Sequence, residues 1–277
     1  MIINGKQIAE KVYVQLRNQI SKLSPKPCLG AILVGYDQSS MRYIRQKQKW
    51  AEDLGITFEL KQLPENIGET KLLELIQAWN SESHIDGYII QLPLPKDIDA
   101  QNIINAISPE KDVDGFHPEN QGKMLIGDPS GFVPCTPAGI MKIFESLEVN
   151  LEGKNIVIIG KSNIVGKPIM GLLVNAGATV TSCNSKTPSI RAYTSNADII
   201  ISAAGKPGLL KLDMIKIDSI IIDVGFTVVD DRIYGDADFD NINIAGPKIT
   251  PVPGGVGALT VAMLMENTLK AYKKNRK

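Results

Sequence analysis

Tyr43 and Lys47 stand four residues apart in the segment SSMRYIRQKQKWAEDLG, which has a helical pattern. Four residues advance a helix by about 6 Å and put both side chains on one face. The segment follows an apolar run, Leu29–Gly35 (LGAILVG), short enough for a buried parallel strand. A helix that starts where such a strand ends lays its first turns over the carboxyl edge of the sheet. Gln91 closes a second run, Gly87–Leu92 (GYIIQL), just before Pro93 and Pro95. An aromatic ring, an amine and an amide on one sheet edge suit a flat heterocyclic substrate with proton transfers beside it. Without further support the same pair reads as an exposed Tyr and Lys on an amphipathic helix.

Three other stretches carry chemistry. Lys111–Pro118 (KDVDGFHP) holds Asp112 and Asp114 in a loop. Two carboxylates are too few for a hard-cation cage, so one reads as capturing N–H donors of a heterocycle and the other as bracing the loop. Gly160–Pro168 (GKSNIVGKP) is a strand-to-helix turn with G-x5-G spacing, whose N–H groups and helix N-terminus suit a phosphate. It is not the usual G-x-G-x-x-G, and a plain turn uses glycines too. The next strand ends in Cys183-Asn184-Ser185-Lys186-Thr187, with no acid for a ribose 2′-hydroxyl. With Lys161 this favours NADP over NAD, unless Lys161 and Lys186 are ordinary surface lysines. Pro251–Thr260 (PVPGGVGALT) is a shaped loop containing Gly254, Gly255 and Gly257, and it leads into a helix N-terminus suited to an anionic tail.

The elements that must position these residues alternate strand and helix. After Leu29–Gly35, a helix opens at Ser39 or Ser40 as N-cap and closes at Gly55. Then come a strand over Ile56–Leu63, a helix over Glu69–Asn80 with an apolar stripe (Leu72, Leu73, Leu75, Ile76, Trp79), and the Gly87–Leu92 strand. Thr136-Pro137 marks a helix start, with Thr as N-cap and Pro first in the helix, running to about Leu147. The second half supplies strands over Asn155–Gly160, Ala178–Ser182, Asp198–Ser202 and Ser219–Val224, with a helix over Lys167–Asn175. The expected fold is α/β: two domains with parallel sheets, the second Rossmann-like, and a cleft between them. A last helix follows Gly255, and the basic end KAYKKNRK reads as a solvated tail.

Composition narrows the class. Among 277 residues, 30 Lys plus Arg balance 30 Asp plus Glu, so the basic footprint of a nucleic-acid binder is missing. No apolar run approaches the roughly 18 residues of a membrane span, and the N-terminus lacks a signal-peptide pattern. Cys28, Cys135 and Cys183 have no CxxC spacing, and His84 and His117 have no second His at ligand spacing. Buried thiols, no metal and a reducing cytoplasmic compartment are expected.

Taken together, VGYDQSSMRYIRQKQK, GYIIQLPLP, PEKDVDGFHPEN, PCTPAG, GKSNIVGKPI, ATVTSCNSKT, IIIDVG and ITPVPGGVGALTVAML resemble the bifunctional methylenetetrahydrofolate dehydrogenase/methenyltetrahydrofolate cyclohydrolases, in order across both halves. The resemblance implies oxidation of 5,10-methylenetetrahydrofolate with NADP⁺ to the methenyl cation, then hydrolysis to 10-formyltetrahydrofolate in one-carbon metabolism. It implies that Tyr43 packs on the folate rings and Lys47 is the main catalytic residue. Gln91 would hydrogen-bond Lys47, and Asp114 would hold the pterin. Leu92, Gly254, Gly255 and Gly257 would line the substrate pocket, while Gly160, Lys161, Ser162, Ile164 and Ser185 would contact the dinucleotide. A folate domain over 1–135, a dinucleotide domain over 136–254, a C-terminal helix over 255–277 returning to the first, and a homodimer are also implied.

Three departures stand out. Lys161 replaces the Arg of a common GRS, which keeps charge but loses the bidentate fork. CHS is Cys183-Asn184-Ser185, and VGPMT is Val256–Thr260 (VGALT). Rival readings are a dehydrogenase without cyclohydrolase activity, a dehydrogenase acting on another cyclic substrate, and a dinucleotide-binding scaffold without chemistry.

Overall fold

In the computed structural model, which describes residues 1–230 and 232–276 and the side chains of all these but Ser39, the run at Cys28–Val34 is buried at all seven positions. This is β1, the middle strand of a parallel sheet ordered β2-β1-β3, with β2 at Thr57–Leu63 and β3 at Gly87–Ile90. A strand with a parallel neighbour on each side and both faces covered reads as a continuous apolar run; the edge strand β2 is fully buried only at Leu63.

Helix α1 spans Gly5–Ile20 and α2 spans Gln38–Leu54, where Tyr13 of α1 stacks on Trp50 of α2 at 3.7 Å between centroids. The start of α2 corrects the expectation of a serine cap. Asp37 is the N-cap, its carboxylate accepting from the Ser40 backbone N–H at 2.8 Å, and Gly55 closes the helix at φ 77°. Helix α3 (Glu69–Ser81) buries Leu72, Ile76 and Trp79 against β1 and β3, and α4 (Ala100–Ala106) adds Ile103. Burial of Leu72 or Ile76 contributes about 1.5–3 kcal/mol relative to exposure. Gly30 makes room for this layer, since a Cβ there would lie 2.6 Å from the Trp79 ring. Helix α5 follows at Pro118–Leu125.

The second sheet is parallel with order β10-β7-β6-β4-β5. Its strands are β4 (Asn155–Ile159), β5 (Thr179–Cys183), β6 (Ile199–Ser202), β7 (Ile220–Asp223) and β10 (Lys248–Ile249). Around them are α6 (Cys135–Ser146), α7 (Gly166–Asn175), α8 (Arg191–Thr194) and α9 (Phe239–Ala245), while β8 (Thr227–Val229) and β9 (Arg232–Tyr234) form a two-stranded antiparallel ribbon. Helix α6 starts earlier than expected: Pro134 is its N-cap, without a side-chain bond, and the Thr136 hydroxyl bonds the Thr260 hydroxyl at 3.0 Å. Its hydroxyl therefore goes to a tertiary partner rather than to its own helix.

The chain divides into two compact units. The three-stranded unit comprises Val12–Lys123, Asp128–Val133 and Val261 onward; the five-stranded unit comprises Met1–Lys11, Met124–Gly127 and Pro134–Thr260. Residues 1–11 thus lie with the second sheet rather than the first. The physical reason is pairing: Ile3 N–H donates to Ile249 O at 2.8 Å, and Ile249 N–H to Met1 O at 3.0 Å.

Helix α10 runs over Val256–Asn275, so the basic end is not a solvated tail. Lys270 donates to Pro129 O at 2.8 Å and also to Gly131 O. Arg276 pairs with the buried Asp86 carboxylate at 2.7 Å. Among the described residues no helix is long and apolar enough to cross a membrane, and no group of three or more His, Cys, Asp or Glu is arranged to hold a metal ion. All three cysteines are buried and outside any disulfide.

Candidate functional site

At the carboxyl edge of the three-stranded sheet, Gln91 extends the ladder past β3, its N–H donating to Ile32 O at 2.9 Å. That bond holds the amide beside the exit of β1, from which α2 departs. Lys47 Nζ donates to Gln91 Oε1 at 3.0 Å, and Gln91 Nε2 donates to Leu92 O at 2.7 Å. The second bond settles which end of the amide faces the lysine: the NH₂ group is held by a carbonyl, so the oxygen meets the amine. Tyr43 lies one turn before Lys47 and is half-buried. Burial raises its hydroxyl above the ordinary phenol pKa, with nearby Arg42 opposing, so the ring is neutral at neutral pH.

The two carboxylates of the KDVDG segment separate as a loop demands. Asp112 is 1 % exposed and accepts from the N–H groups of Phe116 (3.1 Å) and His117 (2.8 Å) and from Asn120 Nδ2 (2.8 Å). It is the brace. Burial raises its pKa, and these hydrogen bonds work against the rise. Asp114 is half-buried and precedes Gly115, whose φ of 75° turns the chain. Asn267 of α10 pins the same loop by donating to Val113 O at 2.9 Å, and it also holds Val133 O at 3.0 Å. Sequence reasoning missed Asn267; an amide inside an otherwise apolar helical stripe was the available signal.

In the five-stranded unit the G-x5-G turn has a steric explanation. A Cβ on Gly160 (φ 130°) would lie 2.3 Å from Ala203 O, and one on Gly166 would lie 2.3 Å from Gly160 O. Only glycine allows the loop to fold this tightly into α7. The Ser162 hydroxyl oxygen accepts from Val165 N–H (3.2 Å) and Gly166 N–H (3.4 Å), leaving its hydrogen to donate outward. Lys161, Ser162 and Ile164 are exposed on this loop. Strand β5 neighbours β4, with Ile159 opposite Cys183, so the exposed Ser185 and Lys186 emerge at the same edge. Asn184, where the family often has His, uses its side chain to accept from Lys186 N–H at 3.0 Å. This set suits a dinucleotide: a glycine cradle, a hydroxyl donor, two cations and no acid at the end of the second strand.

The Pro251–Thr260 loop belongs to the same unit. Gly254 has φ 108°, and a Cβ on Gly255 would lie 2.6 Å from Pro251 O, so both positions require glycine. A Cβ on Gly257 would meet open space. Tyr43, Lys47, Gln91, Leu92 and Asp114 fall in one unit, and the glycine loops and Ser162, Ile164 and Ser185 in the other.

These features define a two-unit α/β protein in which one unit is built to hold a dinucleotide and the other presents a lysine–amide pair at a sheet edge. Residues 3–114 match the family model for the catalytic domain of tetrahydrofolate dehydrogenase/cyclohydrolase, and residues 134–276 match that for its NAD(P)-binding domain. The chain belongs to the tetrahydrofolate dehydrogenase/cyclohydrolase family. A relative from Exiguobacterium sibiricum, the bifunctional protein FolD, is 45% identical over 276 residues, covering 99% of each chain. The crystal structure of the bifunctional FolD methylenetetrahydrofolate dehydrogenase/cyclohydrolase from Campylobacter jejuni superposes with a TM-score of 0.97 at 44% identity, covering 99% of both chains. The Trypanosoma brucei dehydrogenase-cyclohydrolase, complexed with NADP cofactor and inhibitor, gives 0.96 at 35% identity, covering 100% of this chain and 98% of that one.

Proposed function

We propose that the protein oxidises 5,10-methylenetetrahydrofolate with NADP⁺ to the 5,10-methenyl cation and hydrolyses that cation to 10-formyltetrahydrofolate. Family membership supports both activities, and the observation that carries the second is the Lys47–Gln91 hydrogen bond of 3.0 Å. The methenyl cation is electrophilic, so hydrolysis needs a water placed against its one-carbon centre and a group to handle the water's proton. Lys47 is that group. Gln91, locked by Leu92, holds the amine in place and accepts one of its hydrogens, which leaves the nitrogen's remaining valences for water and substrate. Tyr43 supplies a flat, neutral face for the folate rings, and Asp114 accepts hydrogen bonds from pterin N–H groups. Leu92, Gly254, Gly255 and Gly257 are the remaining substrate-binding residues of this reading.

NADP, when bound, supplies the hydride acceptor. Gly160, Lys161, Ser162, Ile164 and Ser185 would hold it, Lys161 offering a point charge rather than a fork. Hydride transfer asks for no protein acid or base at the transferred carbon; what the chain supplies is binding and orientation of the two reactants.

The reading includes a homodimer in the cytoplasm. Support for the dimer is the β8–β9 ribbon, which exposes Val228, Val229 and Tyr234, with Phe226 just before it. A two-stranded ribbon is marginal alone and carries unpaired edges that a second copy would cover. Buried cysteines outside any disulfide suit a reducing compartment.

The test is a spectrophotometric assay of the purified protein with 5,10-methylenetetrahydrofolate, run separately with NADP⁺ and NAD⁺. NADPH formation with only transient methenyl absorbance is expected. Absence of turnover with both cofactors would overturn the assignment.

A further inference from the structure

Two buried aspartates in the five-stranded unit have no part in the chemistry above. Asp223 ends β7 and is 2 % exposed; Asp236 follows β9 and is 0 % exposed. Asp223 accepts from the N–H groups of Gly225 (2.9 Å), Asp236 (2.9 Å) and Ala237 (2.8 Å). Asp236 accepts from the Ser202 hydroxyl (2.8 Å) and from the N–H groups of Ala204 and Lys206, both at 2.7 Å. Each carboxylate occupies the space that a side chain on the other's glycine would need. A Cβ on Gly225 would lie 2.3 Å from Asp236 Oδ1, and one on Gly235 would lie 2.1 Å from Asp223 Oδ2. The D-V-G and G-D-A-D segments are thus two halves of one interlocked clasp. Burying two carboxylates side by side is costly, and such an arrangement persists where it holds something in place.

What it holds is the loop after β6. In the sheet order, β4 and β6 are neighbours, yet β4 leads outward to β5 on one side and β6 to β7 on the other. The carboxyl edge between them is the topological switch point, where open α/β sheets take their ligands. One wall of that crevice is the glycine turn at Gly160; the other is the loop from Ala203 to Lys206. The walls nearly touch at Gly160 and Ala203. Residues Ala204, Gly205 and Lys206 are exposed, yet the N–H groups of Ala204 and Lys206 turn inward to Asp236. Their other fastenings are Thr227 Oγ1 donating to Gly205 O at 3.2 Å and Ala203 N–H donating to Ile159 O at 2.7 Å.

We infer that Asp236, braced by Asp223, is a positioning residue for hydride transfer: it fixes the β6 loop as the second wall of the dinucleotide crevice. It touches neither reactant. The inference rests on the dehydrogenase reading, and it makes the two activities separable, because hydrolysis of preformed methenyltetrahydrofolate requires no dinucleotide. Asp236→Asn keeps the shape but weakens charge-assisted bonds to Ala204 and Lys206 and turns an NH₂ group toward one of these donors.

The experiment compares wild type, Asp236→Asn and Ser202→Ala in two assays: NADP⁺-dependent oxidation of methylenetetrahydrofolate, and hydrolysis of added methenyltetrahydrofolate. For Asp236→Asn the expected result is a rise in the KM for NADP⁺ of about tenfold, with the hydrolysis rate within about twofold of wild type. Ser202→Ala, which deletes only a hydroxyl donor and retains a foldable core, is expected to show the same split at smaller size, and it carries the test if Asp236→Asn does not fold. Equal loss of both activities would mean a merely structural role, and an unchanged KM in the folded variants would overturn the inference. If wild type hydrolyses methenyltetrahydrofolate but never reduces NADP⁺, it is the dehydrogenase reading that fails.

Discussion

Lys47 and Gln91 show how far single residues are readable. The amine on a helix following β1 and the amide at the end of β3 converge because both strands point the same way; parallel pairing with helical crossovers made that edge legible. The Asp112/Asp114 pair was readable only as a division of labour. Two residues of spacing in a loop do not say which side chain turns inward, and only the N–H groups of Phe116 and His117 decide it. This predicts opposite phenotypes. Asp112→Ala takes the acceptor from the N–H groups of Phe116 and His117 and one of two acceptors from Asn120 Nδ2, and it is expected to lower Tm and cost about 3 kcal/mol by urea unfolding. Asp114→Asn is expected to leave Tm within a degree or two and to raise the KM for folate about tenfold or more.

At the scale of elements, the strands and helices that the apolar periodicities marked lie within two residues of their expected bounds, and Gly55 closes α2 as expected. By contrast, α1, α4, α5, α8, α9 and β8–β10 went unmarked, and the two N-caps were misplaced. Asp37 rather than a serine caps α2 because capping depends on which side chain reaches an orphan N–H, not on type alone, and α6 opens at Pro134 with no side-chain cap while the Thr136 hydroxyl bonds Thr260. Asp37→Ala is expected to destabilise by about 1 kcal/mol and, since α2 carries Tyr43 and Lys47, to lower hydrolysis more than its stability loss implies. Thermal melts beside the hydrolysis assay measure both. The basic end of the chain was misread for a related reason. Local composition describes a solvated tail, but the carbonyls of Pro129 and Gly131 and the carboxylate of Asp86 lie far away in sequence.

Over the whole molecule, the alternation of strands and helices conveyed two parallel sheets, while the return of Met1–Lys11 to the second sheet was invisible, because a pairing of Ile3 with Ile249 has no local signature. The same long-range economy makes the ends stabilising. Arg276→Ala leaves Asp86, 1 % exposed, without its cation and is expected to cost about 3 kcal/mol in urea unfolding. Stability also depends on pH through the clasp. Burial pushes Asp223 up to about 6, with its N–H donors opposing and the Asp236 charge adding to the rise. Between an unfolded value near 4 and this folded value, the folded state binds more protons, so this group's contribution to stability falls as pH rises through that window. The loss is about 3 kcal/mol at most. Asp223→Asn is expected to flatten the decline of Tm between about pH 4.5 and 6.5 relative to wild type, and an unchanged slope would contradict it.

In the proposed function, one chain performs hydride transfer and hydrolysis with separable residues, Lys47 serving only the second. Lys47→Met, with NADPH and methenyltetrahydrofolate followed together in a single time course, tests this separation. Formation of NADPH at close to the wild-type rate with methenyltetrahydrofolate accumulating is the expected result. Survival of hydrolysis, or loss of both activities in a folded variant, would contradict the role given to Lys47.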